Sequence, residues 1–139
     1  MSTPRITRSP TITGIIEAAL YVEDVPRAVK FYETVLGLET IELDERLTAM
    51  SVGGRQVLLV CKRGASTNIA DVPHDATGQQ HIAFSTAESD MDAWAARLRE
   101  HDVAIDRDRR WDRGGRSLYF RDPEGHTLEL ASPGVWTVY

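Results

Sequence analysis

The first patterned stretch of the chain alternates between two kinds of position. In GIIEAALYV, residues 14–22, every second residue is apolar and those between are mixed, as in a strand with one buried face. Asp24 then offers a helix N-cap and Pro26 falls in the first turn. Apolar residues recur at helical spacing until Gly37, which supplies a stop. The pattern predicts a strand followed by a helix.

The rest of the chain extends this pattern and then repeats it. Three short runs of β character follow, at residues 38–44, 46–52 and 55–62. Gly53-Gly54 forms a tight turn between the last two. A turn-rich loop leads to residue 78, where the order begins again: a strand, a helix capped by Ser89 or Asp90 with apolar positions Met91, Trp94, Ala95 and Leu98, and strands near 103–110, 116–121 and 126–131. The chain is a βαβββ unit written twice, which predicts an α+β fold.

At 139 residues and 42% hydrophobic content, one globular domain is expected. We predict a disordered arm over 1–13 and a domain over 14–139, with module one at about 14–66, a linker at 67–77 and module two at 78–134. No apolar run approaches the roughly 18 to 20 residues of a membrane span, and the first residues lack the apolar segment of a signal peptide. A cytoplasmic protein is expected.

Charge and cysteine content exclude several kinds of partner and site. A net charge of −5 argues against nucleic acid or an anionic membrane as the main partner. The stretch 106–116 is an exception, because it carries five Arg against three Asp, and it is read either as a solvated strand edge or as an anion site. Cys61 is the only cysteine, so a disulfide within the chain and a thiolate zinc cluster are impossible. Any metal ion must be bound by His, Asp or Glu.

Alignment of the chain with itself brings three such residues to equivalent places. At an offset of 64, GIIEAAL lies over GQQHIAF, which pairs Glu17 with His81. At an offset of 71, GRQVLLV lies over GHTLELA, which pairs Leu58 with Glu129. Strand alternation turns Glu17, His81 and Glu129 away from the core. They are either polar residues on the wet side of their strands or, in a shared register, ligands of one divalent cation with open coordination positions.

Further polar and aromatic residues could line such a cavity. Tyr119 and Arg121 share a strand face with Ser117 and could bind an oxyanion, although Arg121 could equally pair with a surface carboxylate. The loop residue His74 could reach the mouth of a pocket as a proton donor. Either Trp111 or Trp136 could form an aromatic wall over a ligand, and Trp136 could instead anchor an interface. His126 is expected to be exposed, and Cys61 to be a buried or half-buried apolar residue.

The chain resembles the vicinal oxygen chelate superfamily, which includes glyoxalase I, methylmalonyl-CoA epimerase, extradiol dioxygenases, fosfomycin-resistance thiol transferases and bleomycin-resistance proteins. The resemblance covers residues 14 to 134 and rests on three segments: LYVEDVPRAVKFYETVLGL at 20–38, HIAF at 81–84 and RSLYFRDPEGHTLEL at 116–130. It implies two βαβββ modules whose mixed sheets curl around a cavity, with the helices outside. It also implies a homodimer in which two chains build each cavity.

The resemblance implies that Glu17, His81 and Glu129 are the metal ligands. Glu17 departs from the His or Gln of many members, which leaves the metal open among Mn, Fe, Zn, Ni and Co. Leu58 stands where glyoxalase I and the epimerase have a fourth ligand, which disfavours those activities. Ser117 and Tyr119 match positions that contact the phosphonate in fosfomycin transferases. Ala19 and the lack of an Arg after Glu129 disfavour that particular activity.

Two function hypotheses follow from the resemblance. The first is a divalent-metal-dependent enzyme that acts on a small oxygen-chelating substrate as an isomerase, lyase, transferase or dioxygenase. Here Glu17 and Tyr119 are the candidate catalytic residues, and the substrate-binding candidates are Ser117, Tyr119, Arg121, Trp111 and His74. The alternative is a metal-free protein that sequesters a drug or another small molecule.

Overall fold

The computed structural model describes residue 3 and residues 8–66 and 71–139. Parts of the predicted arm and of the predicted linker therefore lie outside the described residues. Regular structure begins at Glu17, three residues after the predicted start of the first strand. Among the described residues, no helix combines the length and hydropathy needed to cross a membrane.

Both modules have the predicted order of elements. Module one contains β1 (Glu17–Val22), α1 (Val25–Thr34), β2 (Glu39–Leu43), β3 (Leu47–Val52) and β4 (Gln56–Lys62). Module two contains β5 (His81–Ser85), a 3₁₀ turn (Glu88–Asp90), α2 (Met91–Glu100), β6 (Arg107–Arg110), β7 (Arg116–Arg121) and β8 (Thr127–Ala131). The predicted strand at 103–110 is shorter in the structure, because Val103 and Ile105 pack against the core without joining a sheet.

Each module forms a four-stranded mixed sheet with the same topology. The strand orders are β1-β4-β3-β2 and β5-β8-β7-β6. In each sheet the first and last strands of the module run parallel, and the other pairs are antiparallel. The sheets are curled and do not close into a barrel, which confirms the predicted α+β fold.

Local sequence features start and end these elements as expected. The Asp24 side chain accepts a hydrogen bond of 3.1 Å from the backbone N–H of Arg27 and so caps α1. Gly53 and Gly54 both have positive φ, which the tight turn between β3 and β4 requires. Asp90 precedes α2 but makes no side-chain cap, because the 3₁₀ turn leads into the helix instead.

One continuous core joins the two modules. Its buried side chains come from both helices and both sheets and include Leu20, Val22, Tyr32, Met50, Leu58, Phe84, Met91, Leu98, Phe120 and Leu128. Across the junction, the Arg97 side chain donates to the backbone oxygens of Val35 and Thr34. The modules therefore fold against each other as one domain.

The edge of β1 meets the start of β5 through side chains. The Tyr21 N–H donates to Gln80 Oε1 at 2.9 Å, and the Tyr21 carbonyl lies 2.8 Å from His126 Nε2. The other ring nitrogen, Nδ1, accepts from the Gln80 N–H at 2.9 Å, so this geometry fits the tautomer protonated at Nε2. The expectation of an exposed His126 is wrong. Its side chain points away from that of Thr127, into the junction between the two modules, and is fully buried there.

Candidate metal centre

The candidate site lies on the face of module two's sheet that points away from the core, which we call the site face. Strand register places Glu129 opposite Ala83 on one side and Tyr119 on the other. The neighbouring residues Leu128 and Leu130 point the other way and are buried in the core. Period-two alternation therefore accounts for a carboxylate between two leucines.

His81 and Glu129 meet on this face across neighbouring strands. His81 Nε2 lies 3.4 Å from Glu129 Oε1, and His81 Nδ1 lies 2.9 Å from the carbonyl oxygen of Thr127. A carbonyl only accepts, so Nδ1 carries a proton and the neutral imidazole presents a lone pair at Nε2. With the imidazole neutral, two electron-pair acceptors lie side by side, one from each side chain; with the imidazole protonated, the same contact is an ion pair. A cation between them would satisfy both.

The donor set fits a divalent metal ion. Neutral imidazole and carboxylate are common ligands of such ions, at about 2.0 to 2.2 Å from the metal, so two of them on one ion stand roughly 3 to 3.5 Å apart. The observed 3.4 Å falls in this range. The Nδ1 hydrogen bond to a backbone carbonyl is the outer-shell contact that fixes the orientation of a ligand histidine.

The second oxygen of Glu129 is held from behind. Ser117 is fully buried on β7, and its hydroxyl donates to Glu129 Oε2 at 2.6 Å. Trp111 Nε1 in turn donates to Ser117 Oγ at 2.9 Å. The guanidinium carbon of Arg109 lies 3.5 Å from the centroid of the Trp111 ring. Sequence reasoning missed Arg109, although its even spacing from Ser117 and Tyr119 within the β6–β7 hairpin indicates the site face.

Glu17 lies away from this pair. It is exposed at the start of β1 and lines a cavity of about 420 Å³ with Ala83 and Ser85, at the far end of β5. Ser85 lies four residues beyond His81, which is roughly 13 Å along a strand. Within the described residues of one chain, no three His, Cys, Asp or Glu side chains come close enough to share a metal ion.

The structure corrects the expected equivalence of Leu58 and Glu129. Register pairs Ala19 with Leu59 in module one and Ala83 with Glu129 in module two, so the counterpart of Glu129 is Leu59. Leu58 is fully buried in the core. The alignment was one residue out because it was anchored on the glycines before the strands. Module one still has an apolar residue at this place.

Tyr119 and Arg121 extend the site face along β7. Tyr119 is half-buried and lies opposite both Glu129 and Arg107. Arg121 pairs with Asp106 at 3.2 Å and donates to the carbonyl of Gly125, so it does pair with a surface carboxylate, as one of the two alternatives expected. Arg107 forms no ion pair within the described residues.

His74 contacts module one rather than the His81–Glu129 pair. Its Nδ1 is hydrogen-bonded to the hydroxyl of Tyr21, and its backbone N–H donates to Ser66 Oγ. Burial raises the pKa of Tyr21, with smaller effects from Cys61 and Asp75. Cys61 is buried as expected, and burial raises the pKa of its thiol to about 11, which leaves it an inert thiol at neutral pH.

Comparisons with known proteins agree on one family. Residues 14–130 match the model of the Glyoxalase/Bleomycin resistance protein/Dioxygenase superfamily. The chain is 33% identical over 123 residues to metallothiol transferase FosB of Shouchella clausii (strain KSM-K16), covering 86% of this chain and 80% of that protein. It is 29% identical over 120 residues to FosB of Staphylococcus epidermidis (strain ATCC 12228 / FDA PCI 1200), covering 86% and 81%.

Two solved structures share the architecture. Lactoylglutathione lyase from Agrobacterium tumefaciens superposes with a TM-score of 0.84 at 31% identity, covering 92% of this chain and 99% of that chain. The fosfomycin resistance protein FosX from Listeria monocytogenes superposes with a TM-score of 0.68 at 22% identity, covering 86% and 91%. The second likeness supports the fold alone.

Proposed function

Since this chain belongs to the glyoxalase/bleomycin resistance protein/dioxygenase superfamily, we propose that His81 and Glu129 bind its divalent metal ion and that Glu17 of a second copy completes the ligand set. The relatives support the expected metal-dependent enzyme over the metal-free sequestering protein, because they include metallothiol transferases and a lyase. The metal's identity is left open by two carboxylates and one imidazole, which suit several divalent ions.

The observation that carries the proposal is the contact between two acceptors. His81 Nε2 and Glu129 Oε1 lie 3.4 Å apart, and the other polar atom of each side chain, His81 Nδ1 and Glu129 Oε2, already has a hydrogen-bond partner. When the imidazole is neutral, neither of these two atoms carries a proton, so a cation shared between them is favoured. Glu129 is 7% exposed and its Oε2 accepts a hydrogen bond from Ser117, so a cation beside Oε1 would compensate the rest of its buried charge.

The third ligand is proposed to come from a second copy because of how the modules lie. Glu17 starts β1 and His81 starts β5; the end of β1 meets the start of β5 at Tyr21 and Gln80, whereas the start of β1 shares a cavity with the end of β5. The helix of module two and the shared core lie on the opposite side of this sheet, which leaves the site face free of helices within one chain. A two-fold dimer would bring Glu17 of each copy to the His81–Glu129 pair of the other and form two equivalent sites.

A small anionic substrate that reacts with sulfur fits this face best. Arg107, Arg109 and Tyr119 share it with Glu129, and the arginine forks suit carboxylate, phosphate or phosphonate oxygens. The name metallothiol transferase refers to a thiol, and lactoylglutathione is a thioester of the thiol glutathione. We therefore propose that the chain joins a thiol to an electrophilic carbon of such a substrate: the C–S bond forms, a C–O bond of that carbon breaks, and the released oxygen takes up the thiol proton.

Each group has a distinct task in this proposal. The bound divalent ion supplies Lewis-acid stabilisation of negative charge on the substrate oxygens. Tyr119 donates a hydrogen bond from its hydroxyl to a substrate oxyanion, and Arg107 orients the anionic end. Glu17, the ligand of unusual type, is the candidate base that accepts the proton of the thiol and passes it to the released oxygen.

Metal analysis together with a thiol assay tests the proposal. Protein purified without chelator, and variants His81→Ala and Glu129→Ala, are titrated with Mn²⁺, Co²⁺, Ni²⁺ and Zn²⁺. The loaded wild type is then assayed for thiol consumption with an epoxide phosphonate. We expect near-stoichiometric bound metal in the wild type and loss of bound metal in both variants. Equal metal content in all three proteins would reject the metal centre.

A further inference from the structure

We propose that Trp111 and Ser117 form a positioning relay that orients Glu129 to bind the metal ion. The inference rests on the proposed function, because it concerns how a carboxylate assigned to the metal is held. It gives these two residues a different task from the substrate contact expected from the sequence. Neither touches the reacting atoms in this account.

The direction of the two hydrogen bonds follows from the chemistry of the groups. An indole N–H can only donate, so Ser117 Oγ accepts from Trp111 Nε1 at 2.9 Å. The single hydroxyl proton of Ser117 is then free to point at Glu129, whose Oε2 accepts it at 2.6 Å. The tryptophan therefore sets the direction of the serine proton. The short second bond is of the kind formed to a charged acceptor.

The relay leaves one defined oxygen for the metal. With Oε2 engaged by Ser117, Oε1 is turned toward His81 Nε2, the other proposed ligand. Ser117 is fully buried, so no solvent molecule competes for its hydroxyl. A carboxylate without this bond could rotate about its last torsion, which has a broad distribution of angles in proteins.

The tryptophan is itself fixed from two sides. The Arg109 guanidinium stacks on its ring, 3.5 Å from the centroid. Its backbone belongs to the turn between β6 and β7, where the Trp111 N–H donates to the Gly115 carbonyl at 2.8 Å and the Gly114 N–H to the Trp111 carbonyl at 2.9 Å. A ring held in this way loses little further freedom when it donates to Ser117.

The chain offers a matched control in a second tryptophan. Trp94 Nε1 donates to the Thr86 hydroxyl at 2.9 Å, the same type of bond at the same length, but Trp94 lies on α2, on the helix side of the sheet. Changing either indole to phenylalanine removes one N–H donor and keeps an aromatic ring. Only the Trp111 change breaks the connection to Glu129.

The experiment is a Co²⁺ titration followed by visible absorption, which reports the ligands and geometry of the ion. We compare wild type, Trp111→Phe, Ser117→Ala, the double variant and Trp94→Phe, each checked for folding by near-UV circular dichroism. Loss of an outer-shell partner typically weakens metal binding by about 10- to 100-fold, and we expect this for Trp111→Phe and Ser117→Ala. The double variant should be little weaker than Ser117→Ala, because the two bonds act in series. Trp94→Phe should bind Co²⁺ like the wild type.

The outcomes separate this inference from the proposed function. If the wild type takes up no Co²⁺, the metal centre is rejected and the relay with it. If the wild type binds and Trp111→Phe matches Trp94→Phe in affinity and spectrum, the relay is overturned while the metal centre stands. If Ser117→Ala does not fold, Trp111→Phe decides alone, because its change lies in a half-exposed turn.

Discussion

Nε2 of His81 and Oε1 of Glu129 lie 3.4 Å apart with no donor between them in the neutral imidazole form. The Thr127 carbonyl fixes the proton of His81 on the far nitrogen, and the Ser117 hydroxyl occupies the far oxygen of Glu129. A hydrogen bond at the far atom of each side chain thus holds Nε2 of His81 and Oε1 of Glu129 close together. When the imidazole is neutral, the pair is preorganised at a cost to the metal-free protein, because two acceptors meet at a largely buried carboxylate.

Replacing Glu129 by Gln should separate metal binding from stability. A glutamine keeps an oxygen that accepts from Ser117 and adds an amide that can donate to His81 Nε2. We expect Glu129→Gln to lose metal uptake. Without metal, its free energy of unfolding should exceed that of the wild type by about 0.5 to 2 kcal/mol. Urea unfolding of both metal-free proteins at about pH 8.5, where an ordinary imidazole is neutral, measures this. A variant that is less stable than the metal-free wild type would contradict the unfavourable contact.

The bond between Tyr32 and Asp122 should contribute to stability at neutral pH. The Tyr32 hydroxyl donates to Asp122 Oδ2 at 2.6 Å in the core, and the same carboxylate accepts from the backbone of Glu124 and His126. We expect Tyr32→Phe to lower the free energy of unfolding by about 1 to 3 kcal/mol, because a buried charged acceptor loses a donor. Chemical denaturation at pH 7 tests this, and a change below about 0.5 kcal/mol would contradict it.

The same tyrosine predicts sensitivity to alkali. Burial, with added effects from Asp122, raises the pKa of Tyr32 above its usual value of about 10. A raised folded-state pKa means that this contribution is complete below pH 10 and is lost as the pH rises further. Stability of the wild type should therefore fall more steeply above pH 10 than stability of Tyr32→Phe. Parallel pH profiles of the two proteins would show that the residue is not the cause.

Gly115 should tolerate no side chain. A Cβ at this position would lie 2.3 Å from the backbone nitrogen of Val135 and 2.4 Å from the carbonyl carbon of Gly134. Because both obstacles are backbone atoms, we expect Gly115→Ala to cost at least about 2 kcal/mol and to displace the turn that carries Trp111. Gly14→Ala is the matched control, since no atom of the described residues lies within 4 Å of a Cβ there. Equal melting temperatures for the two variants would refute the close approach.

Because of Arg116, the free energy of unfolding should fall as the pH is lowered into the acid range. It is buried and forms ion pairs with Asp92 at 2.6 Å and Asp108 at 2.8 Å. Hydrogen bonds and charge from Arg116 lower the pKa of both carboxyls. Lowered folded-state values mean that this stabilisation is present above about pH 4 and is lost as the pH falls through them. Arg116→Met should therefore be less stable than wild type at pH 7, by a margin that shrinks toward pH 2. A margin independent of pH would contradict the ion pairs.

Much of the fold could be predicted because alternation and glycine placement are local signals. The two βαβββ units, the Asp24 cap and the turn at Gly53-Gly54 follow from residue types and spacing alone. The burial of His126 could not be predicted, because it depends on where the second module packs against the first. The cytoplasmic location expected from the sequence stays a prediction.

The candidate site was predictable in part for the same reason. Alternation turns His81 and Glu129 to one face, but the parallel pairing that brings β5 beside β8 decides that they meet. The relay from Trp111 depends on the path of the β6–β7 turn, which alternation does not describe. Glu17 is proposed to reach the His81–Glu129 pair from a second copy, and its role as a ligand stays a prediction.

Mixing two inactive variants tests most directly whether the site is shared between copies. Glu17→Ala retains His81 and Glu129, and His81→Ala retains Glu17, so a dimer of one copy of each has one intact site and one doubly impaired site. If the variants are unfolded and refolded together in equal amounts, half of the dimers are mixed and about a quarter of the wild-type metal sites and activity should return. Each variant refolded alone should show none. No recovery in the mixture, from two variants that each fold and lose metal alone, would contradict a site built from Glu17 of one copy and His81 and Glu129 of the other.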